Sequence, residues 1–391
     1  MKKMLAWLMA LGLALPVAAA ETTDAPEPDA QPETVTVEDA GLELSGSSVR
    51  YPRVTGLGDE ELETAVNELI QTDLGIADYL NRMTLLMSDP GTLTVTYEAQ
   101  LLGDVFTAVA EASGAVVNSR PTHVWTAVNV DLRDGHAIGL DELFTEPEPA
   151  REAIEAYLED MAAELSAHLS ASGVTPLPET FGLSPYGLTL LYPIEQLSTL
   201  ADRAGAVTIL WSEIQPWLNL EEDGLLSRIG AAENLTFPEN PKERLTEALA
   251  EGSIPGIPAA IGQSVQELTD AYDLQIDPDL YEGGRMFLPD HQAFRQVWLL
   301  SDALTGSWEN SVVQGLRADR LNLLGLRTGV TTREEYLAAL GEPESSLNVD
   351  EERALNWRIV PGTSDYYTLG SYRLRLHADE EGVLRSVFIT Q

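Results

Sequence analysis

Between Glu60 and Leu80 the apolar residues Leu62, Val66, Leu69, Ile70, Ala77 and Leu80 recur every three or four positions, which predicts a helix with one buried face. The period then drops to two. Leu93, Val95, Tyr97, Ala99 and Leu101 alternate with Thr92, Thr94, Thr96, Glu98 and Gln100, the pattern of a half-buried strand. Val105 to Ala112 reads as its neighbour and His123 to Leu132 as a further strand, closed by a turn at Asp134-Gly135. Pro149 is placed to open a long helix with Ile154, Tyr157, Leu158, Met161, Leu165 and Leu169 as its stripe, and Gly173 to end it. Two more strands are expected near Leu188 to Tyr192 and Ala206 to Trp211.

The last part of the chain holds a weak internal repeat. One copy begins Gly262-Gln263-Ser264-Val265-Gln266-Glu267-Leu268, the other Gly329-Val330-Thr331-Thr332-Arg333-Glu334-Glu335. In each, a hydroxyl two residues after the Gly (Ser264 and Thr331) is followed three residues later by Glu (Glu267 and Glu334), the spacing of a capping box, and each copy then runs from a short helix into strands. Tyr372, Leu374 and Leu376 alternate with Arg373, Arg375 and His377, and Asp379 to Gly382 returns the chain into Val383 to Ile389. The fold class expected is α+β, with helices packed on antiparallel sheets in two domains, the second a weak tandem repeat.

The flanks read differently. Lys2 and Lys3, the apolar run Met4 to Val17 and Ala18-Ala19-Ala20 have the layout of an export signal, with cleavage expected after Ala20. The apolar run is short for a membrane-spanning helix, with an uncleaved anchor as the alternative, and no later segment is long enough to span, so no span is expected after cleavage. The expected organisation is a signal at 1–20, an acidic disordered linker at 21–44, a first α+β domain at 45–220, a charged connector at 221–250 and a repeat domain at 251–391. An extracytoplasmic location follows, secreted or associated with the cell envelope.

Charge narrows the partners. Among 391 residues, 63 acids and 23 bases leave a net charge of −40, which becomes −42 if Lys2 and Lys3 depart with the signal. Nucleic acid and anionic membranes are disfavoured, and a basic partner is favoured. The absence of cysteine excludes disulfides, a thiol nucleophile, a thiolate metal site and lipoprotein acylation.

Catalytic signatures are missing. The chain has no phosphate-binding G-x-x-x-x-G-K, G-x-G-x-x-G, G-x-S-x-G or H-E-x-x-H motif. No catalytic residue, metal ligand or cofactor is assigned. A local cluster of His123, Asn129, Asp131, Asp134 and His136 offers two readings, a ligand or metal face or the polar side of a half-buried strand. His123, Trp125, Asn129 and Asp131 fall on the face opposite Val124, Val128, Val130 and Leu132. Asp277-Pro278-Asp279 with Glu282 only faintly resembles a calcium loop. Trp298, Trp308 and Trp357 offer either sugar stacking or core packing, the commoner role. Arg373, Arg375, His377 and Arg385 form a basic stripe, read as a solvated face paired with nearby acids or as an anion site.

At PTHVWTAVNVDLRDGHAIGLDELF (Pro121 to Phe144) the chain resembles the RsiV-type extracytoplasmic domain, through Asn129, Asp131, Gly135, Leu140, Leu143 and Phe144. Tyr51-Pro52, Gly56, FGLSPYGLTLLYP (Phe181 to Pro193) and AVTILWSEIQPWL (Ala206 to Leu218) extend the resemblance. Pro121-Thr122-His123-Val124 stands where the family has Ala-His-Pro, and Leu200 to Gly205 where it has a Pro-Tyr pair. The C-terminal part resembles the helix-plus-sheet unit of beta-lactamase-inhibitor and SmpA/OmlA envelope proteins.

The family includes lysozyme-sensing anti-sigma factors and companion modules of peptidoglycan deacetylases. The resemblance therefore implies a non-catalytic envelope binding protein that recognises lysozyme, another basic wall-associated protein or peptidoglycan. Its partner-binding candidates are His123, Trp125, Asn129, Asp131 and Tyr192. The alternative is a carboxylate- or metal-dependent wall-glycan hydrolase or deacetylase.

Overall fold

The computed structural model describes residues 34–86, 91–116, 122–164, 174–192, 205–272, 274–276, 285–289, 297–301 and 310–391. Strands β1 (Thr36–Leu44) and β2 (Ser47–Thr55) form a hairpin whose turn takes Ser45 and Gly46 to positive φ. The strand β1 thus replaces the far end of the expected disordered linker. Pairing along β2 satisfies backbone groups that an acidic linker would leave in water, and Val35, Val37 and Leu44 pack on the core beneath.

The apolar stripe after Glu60 is two helices rather than one. Asp59 caps α1 (Glu60–Asp73) by accepting from the Glu61 and Leu62 amides, and Gly75 at φ +69° breaks the chain before α2 (Ile76–Leu86). The strands β3 (Gly91–Leu102), β4 (Val105–Val116) and β5 (Thr122–Asp131) complete a sheet in the order β1-β2-β3-β4-β5. Its pairings are antiparallel except for a short parallel contact of β2 with β3, reached by the crossover through α1 and α2. Val66, Ile70, Leu93, Val95, Phe106 and Val130 meet in its core.

A second core follows. The helix α3 (Pro147–Glu164) begins at Pro147, two residues before the expected Pro149, while Gly173 lies outside the described residues. It packs on a small antiparallel sheet of β6 (Phe181–Leu183), β7 (Gly187–Tyr192) and β8 (Gly205–Leu210). Gly182 lets β6 lie against β4, because a Cβ there would meet Val109 Cγ2 at 2.8 Å.

The segment read as a connector is built into these cores. Leu226 and Ile229 of α4 (Leu225–Arg228) and its cap, with Ala231 of α5 (Ala231–Asn234), are buried in the second core. Leu245 of α6 (Pro241–Ala248) belongs to the third. Leu226, Ile229 and Leu245 outweigh the local charge, because burying each of these side chains stabilises by about 1.5–3 kcal/mol.

The repeat folds into one sheet. The first copy gives α7 (Val265–Tyr272) and strands β9 (Leu274–Ile276), β10 (Arg285–Pro289), β11 (Val297–Ser301) and β12 (Val313–Ala318). A short hairpin of β13 (Asn322–Leu323) and β14 (Leu326–Arg327) leads to the second copy. That copy has α8 (Arg333–Leu340), β15 (Ser345–Val349), α9 (Glu351–Trp357), β16 (Gly362–Leu369), β17 (Tyr372–Asp379) and β18 (Leu384–Thr390).

The final strands of the two copies pair antiparallel, giving β15-β16-β17-β18-β12-β11-β10-β9. Equivalent bridges, Ser264 with Val312 and Thr332 with Val383, lock each helix start to its last strand. The full capping box is formed by Thr332 and Glu335, one residue later than the expected Thr331 and Glu334, because the Thr331 hydroxyl is buried and donates to Gly325 O. Ser264 accepts only the Glu267 amide, at 3.4 Å. Each copy's four strands have two edges, and the junction of β12 with β18 covers one edge of each, leaving β9 and β15 at the outer edges.

Candidate functional site

The residues around Asp131 converge at the end of β5. Strand alternation explains why Asn129 and Asp131 share a face, but that face is covered rather than open to solvent. Asn129 Oδ1 accepts from Thr107 Oγ1 at 2.7 Å, and its Nδ2 donates to Phe181 O at 2.8 Å, tying β5 to β4 and β6. The reading of the opposite face also changes along the strand: Val128 and Val130 are buried, yet Val124 is 42 % exposed. The strand runs out beyond the core at that end.

Asp131 is 1 % exposed. Its carboxylate accepts from the Arg133 amide (3.1 Å), Arg133 Nε (3.0 Å) and Arg133 Nη2 (2.7 Å), and from Arg228 Nη1 (3.3 Å) and Nη2 (2.6 Å). Arg228 Nη1 also reaches Asp104 at 2.7 Å. Burial pushes the Asp131 carboxyl up, but hydrogen bonds from both guanidiniums outweigh it and hold it well below the usual carboxylate range.

His136 bridges Asp134 (Nδ1 to Oδ1, 2.7 Å) and Glu142 (Nε2 to Oε2, 3.1 Å), and these partners, Asp134 foremost, raise its pKa. Ligand atoms of Asp131, Asp134 and His136 lie within 4.8 Å of one another. The two guanidiniums already occupy the lone pairs of Asp131, and their charge opposes a cation there.

The remaining candidates are dispersed. Tyr192 is 1 % exposed and its hydroxyl donates to Val174 O at 2.8 Å inside the second core. Trp125 is half-buried, and its Nε1 has no hydrogen-bond partner among the described residues. His123 pairs with Ser113 through the backbone of β5, and its side chain lies outside the described residues. The acidic segment at 277–284 and Trp308 also lie outside them.

The basic stripe is solvated only in part: Arg373 and Arg385 are exposed, while Arg375 is half-buried and His377 buried. Trp298, Arg317, Phe388, Arg375 and Tyr366 are successive register partners across five strands. Arg317 Cζ lies 5.5 Å from the Trp298 ring centre and 5.6 Å from that of Phe388. Arg375 Cζ lies 4.3 Å from Phe388 and 4.2 Å from Trp357. This alternation of cation and ring explains Trp298 and Trp357 by packing rather than by sugar stacking. His377 is buried between Ser364 Oγ (2.9 Å) and Val360 O (2.8 Å), and burial lowers its pKa to about 4. Of the stripe, Arg385 does pair with a nearby acid, Asp379, at 2.6 Å.

Sequence reasoning missed the seam between the early cores and the repeat. Arg320, after β12, forks onto Glu213, after β8, and also reaches Thr208 O at 3.1 Å. Arg327 Nη1 donates to Gln215 Oε1 at 2.8 Å, and the Leu324 amide donates to Asn234 Oδ1 at 3.1 Å. No local motif marks these residues, which are separated by 90 positions or more. Beside the seam an open groove of about 410 Å³ takes its walls from Pro185-Tyr186, Ile229 to Asn234, α6 and Leu323-Leu324.

No family model matches the chain, and no curated protein matches it. Among solved structures, the chain is similar over 51 % of its length to a DUF3298-family protein of Bacteroides fragilis, covering 98 % of that chain at 12 % identity with a TM-score of 0.42. A DUF3298-family protein of Pseudomonas aeruginosa matches over 49 % of this chain and 96 % of its own, at 9 % identity and a TM-score of 0.36. A DUF4309-family protein of Bacillus subtilis matches over 38 % of this chain and 94 % of its own, at 12 % identity and a TM-score of 0.24. The similarity to the DUF3298-family proteins covers about half of the chain.

Proposed function

We propose that the chain is an exported binding protein of the cell envelope that engages a cationic, wall-associated protein, with lysozyme the partner to test first. The carrying observation is where positive charge is spent. Arg228, Arg317 and Arg320 are turned inward onto Asp131, Asp319 and Glu213, so three of the 23 basic residues are spent on inward acids and do not offset the remaining acids, which leave a net charge of −40. Such a field raises encounter rates with cationic proteins. The RsiV-type resemblance at Pro121 to Phe144 and the export signal at 1–20 support the same reading. Among the described residues no helix is long and apolar enough to cross a membrane.

The wall-glycan hydrolase or deacetylase reading needs Asp131 as a base or ligand. Saturation of its oxygens by Arg133 and Arg228 weighs against that role.

The experiment is calorimetric titration of lysozyme into the chain from Glu21 onward, beside a basic protein of similar size and charge. Salt of about 150 mM screens surface charges beyond roughly 8 Å. Saturable binding of lysozyme alone supports the proposal. Equal weak heats from both proteins remove lysozyme as the partner.

A further inference from the structure

We infer that the groove beside the seam receives a lysine or arginine side chain of a protein partner. This rests on the reading of the chain as a binder of cationic proteins and assigns that binding a place.

The groove is built before any ligand arrives. Asn234 Nδ2 donates to Pro185 O at 3.1 Å while its Oδ1 accepts from the Leu324 amide at 3.1 Å, so one side chain fixes walls from three separate segments. Its volume of about 410 Å³ falls within the roughly 300–1,000 Å³ of ordinary ligand pockets. Ile229 and Leu324 supply aliphatic lining, and both are buried. Tyr186 adds a half-buried ring, whose hydroxyl has no hydrogen-bond partner among the described residues. Burial raises the pKa of that hydroxyl, so it remains a neutral donor and acceptor at physiological pH.

Three lining groups are charged. Glu233 and Glu247 stand with Arg244 in the groove, but that pairing is loose: Arg244 lies 3.9 Å from Glu233 and 4.0 Å from Glu247. Closed pairs elsewhere in the molecule, such as Arg228 with Asp131, measure 2.6 Å. The two carboxylates therefore retain acceptor capacity that an incoming cation can use.

Lys and Arg match this surface in chemistry. Each has an apolar stem that covers aliphatic and aromatic walls and a cationic head that seeks carboxylates, and the head also gains from the face of a tyrosine ring. An acidic or purely apolar side chain matches only one part of it.

The test uses the chain from Glu21 onward and the peptide acetyl-Gly-Leu-Lys-Leu-Gly-amide, with a norleucine-for-lysine analogue as control. Affinity is measured by calorimetry for the native chain, for Glu233→Gln with Glu247→Gln, and for Glu351→Gln with Glu352→Gln, an exposed pair on α9 with the same charge change. The expected result is binding of the lysine peptide alone, weakened about tenfold or more by the groove pair and less than about twofold by the α9 pair. Amide exchange should slow at 229–234 and 244–248 on binding. Equal weakening by both pairs, equal binding of the norleucine peptide, or no binding to the native chain overturns the groove assignment. Lysozyme titrated into the same variants separates the two proposals. Lysozyme binding that the groove pair leaves unchanged keeps the binding function and rejects the groove. Glutamate-dependent peptide binding without lysozyme binding keeps the groove and rejects that partner.

Discussion

Arg228 Nη2 lies 2.6 Å from Asp131 Oδ2, across 97 positions of sequence, and joins a segment read as a connector to the end of a sheet strand. The carboxylate is buried and the guanidinium nearly so. Arg228→Ala should therefore destabilise the chain by about 3 kcal/mol, the lower end of the cost of breaking a buried pair, because Arg133 still satisfies part of the carboxylate. Urea unfolding of Arg228→Ala beside Arg133→Ala measures this. Arg133 is largely exposed, and its loss should cost less.

Acid should weaken the fold through three carboxylates. Asp131, Asp365 and Asp379 all have pKa values below the ordinary value: burial opposes the shift, while hydrogen bonds from arginine or from backbone amides drive it. A depressed folded pKa contributes stability that is present above the unfolded value, about 3.9, and is lost as pH falls through the folded value. Melting temperature should fall steeply below about pH 4. In Arg228→Ala that dependence should be shallower, since less of the Asp131 shift remains.

The Arg320–Glu213 fork crosses the seam with side chains only 11 % and 13 % exposed. Arg320→Met alone should cost about 3–5 kcal/mol by stranding Glu213, and Glu213→Met should cost a similar amount by stranding Arg320. The double replacement should cost less than the sum of the two. A double-mutant cycle in urea checks this, and additivity would show that the fork is not a coupled unit.

His377 is fully buried, and its pKa falls to about 4 because desolvation disfavours the cation. The unfolded value is near 6.5, so the unfolded chain binds the proton first. Stability from this residue is complete above about pH 6.5 and declines as pH falls toward 4, by about 3 kcal/mol in all. Carbon-bound ring proton shifts of His377 should stay constant from pH 8 to pH 5. A titration near 6.5 would show a solvated imidazole.

The periodicities were good guides where one face of an element meets one core. Alternation along β3 is a local property that the structure keeps. The two repeat copies were visible for the same reason. The capping box, however, forms at Thr332 and Glu335, one residue beyond the expected Thr331 and Glu334, because Thr331 is buried and its hydroxyl donates to Gly325 O. Where an element is covered on two sides, the pattern misled. Asn129 and Asp131 look like an open polar face in sequence, yet β6 and Arg228 cover them. His377 falls on the polar phase of β17 and is buried all the same.

The candidate groove was not legible either. Tyr186, Glu233, Glu247 and Leu324 are ordinary residues at unremarked positions, brought together only when the seam closes.

The sequence alone determined the α+β class, the helix-to-strand order of each repeat and the overall acidity, because propensity, periodicity and charge act between near neighbours. Tertiary structure decided which carboxylates are buried, which arginines meet them and where a cleft opens. Those outcomes depend on desolvation and on contacts between segments about 100 residues apart, which no local pattern encodes.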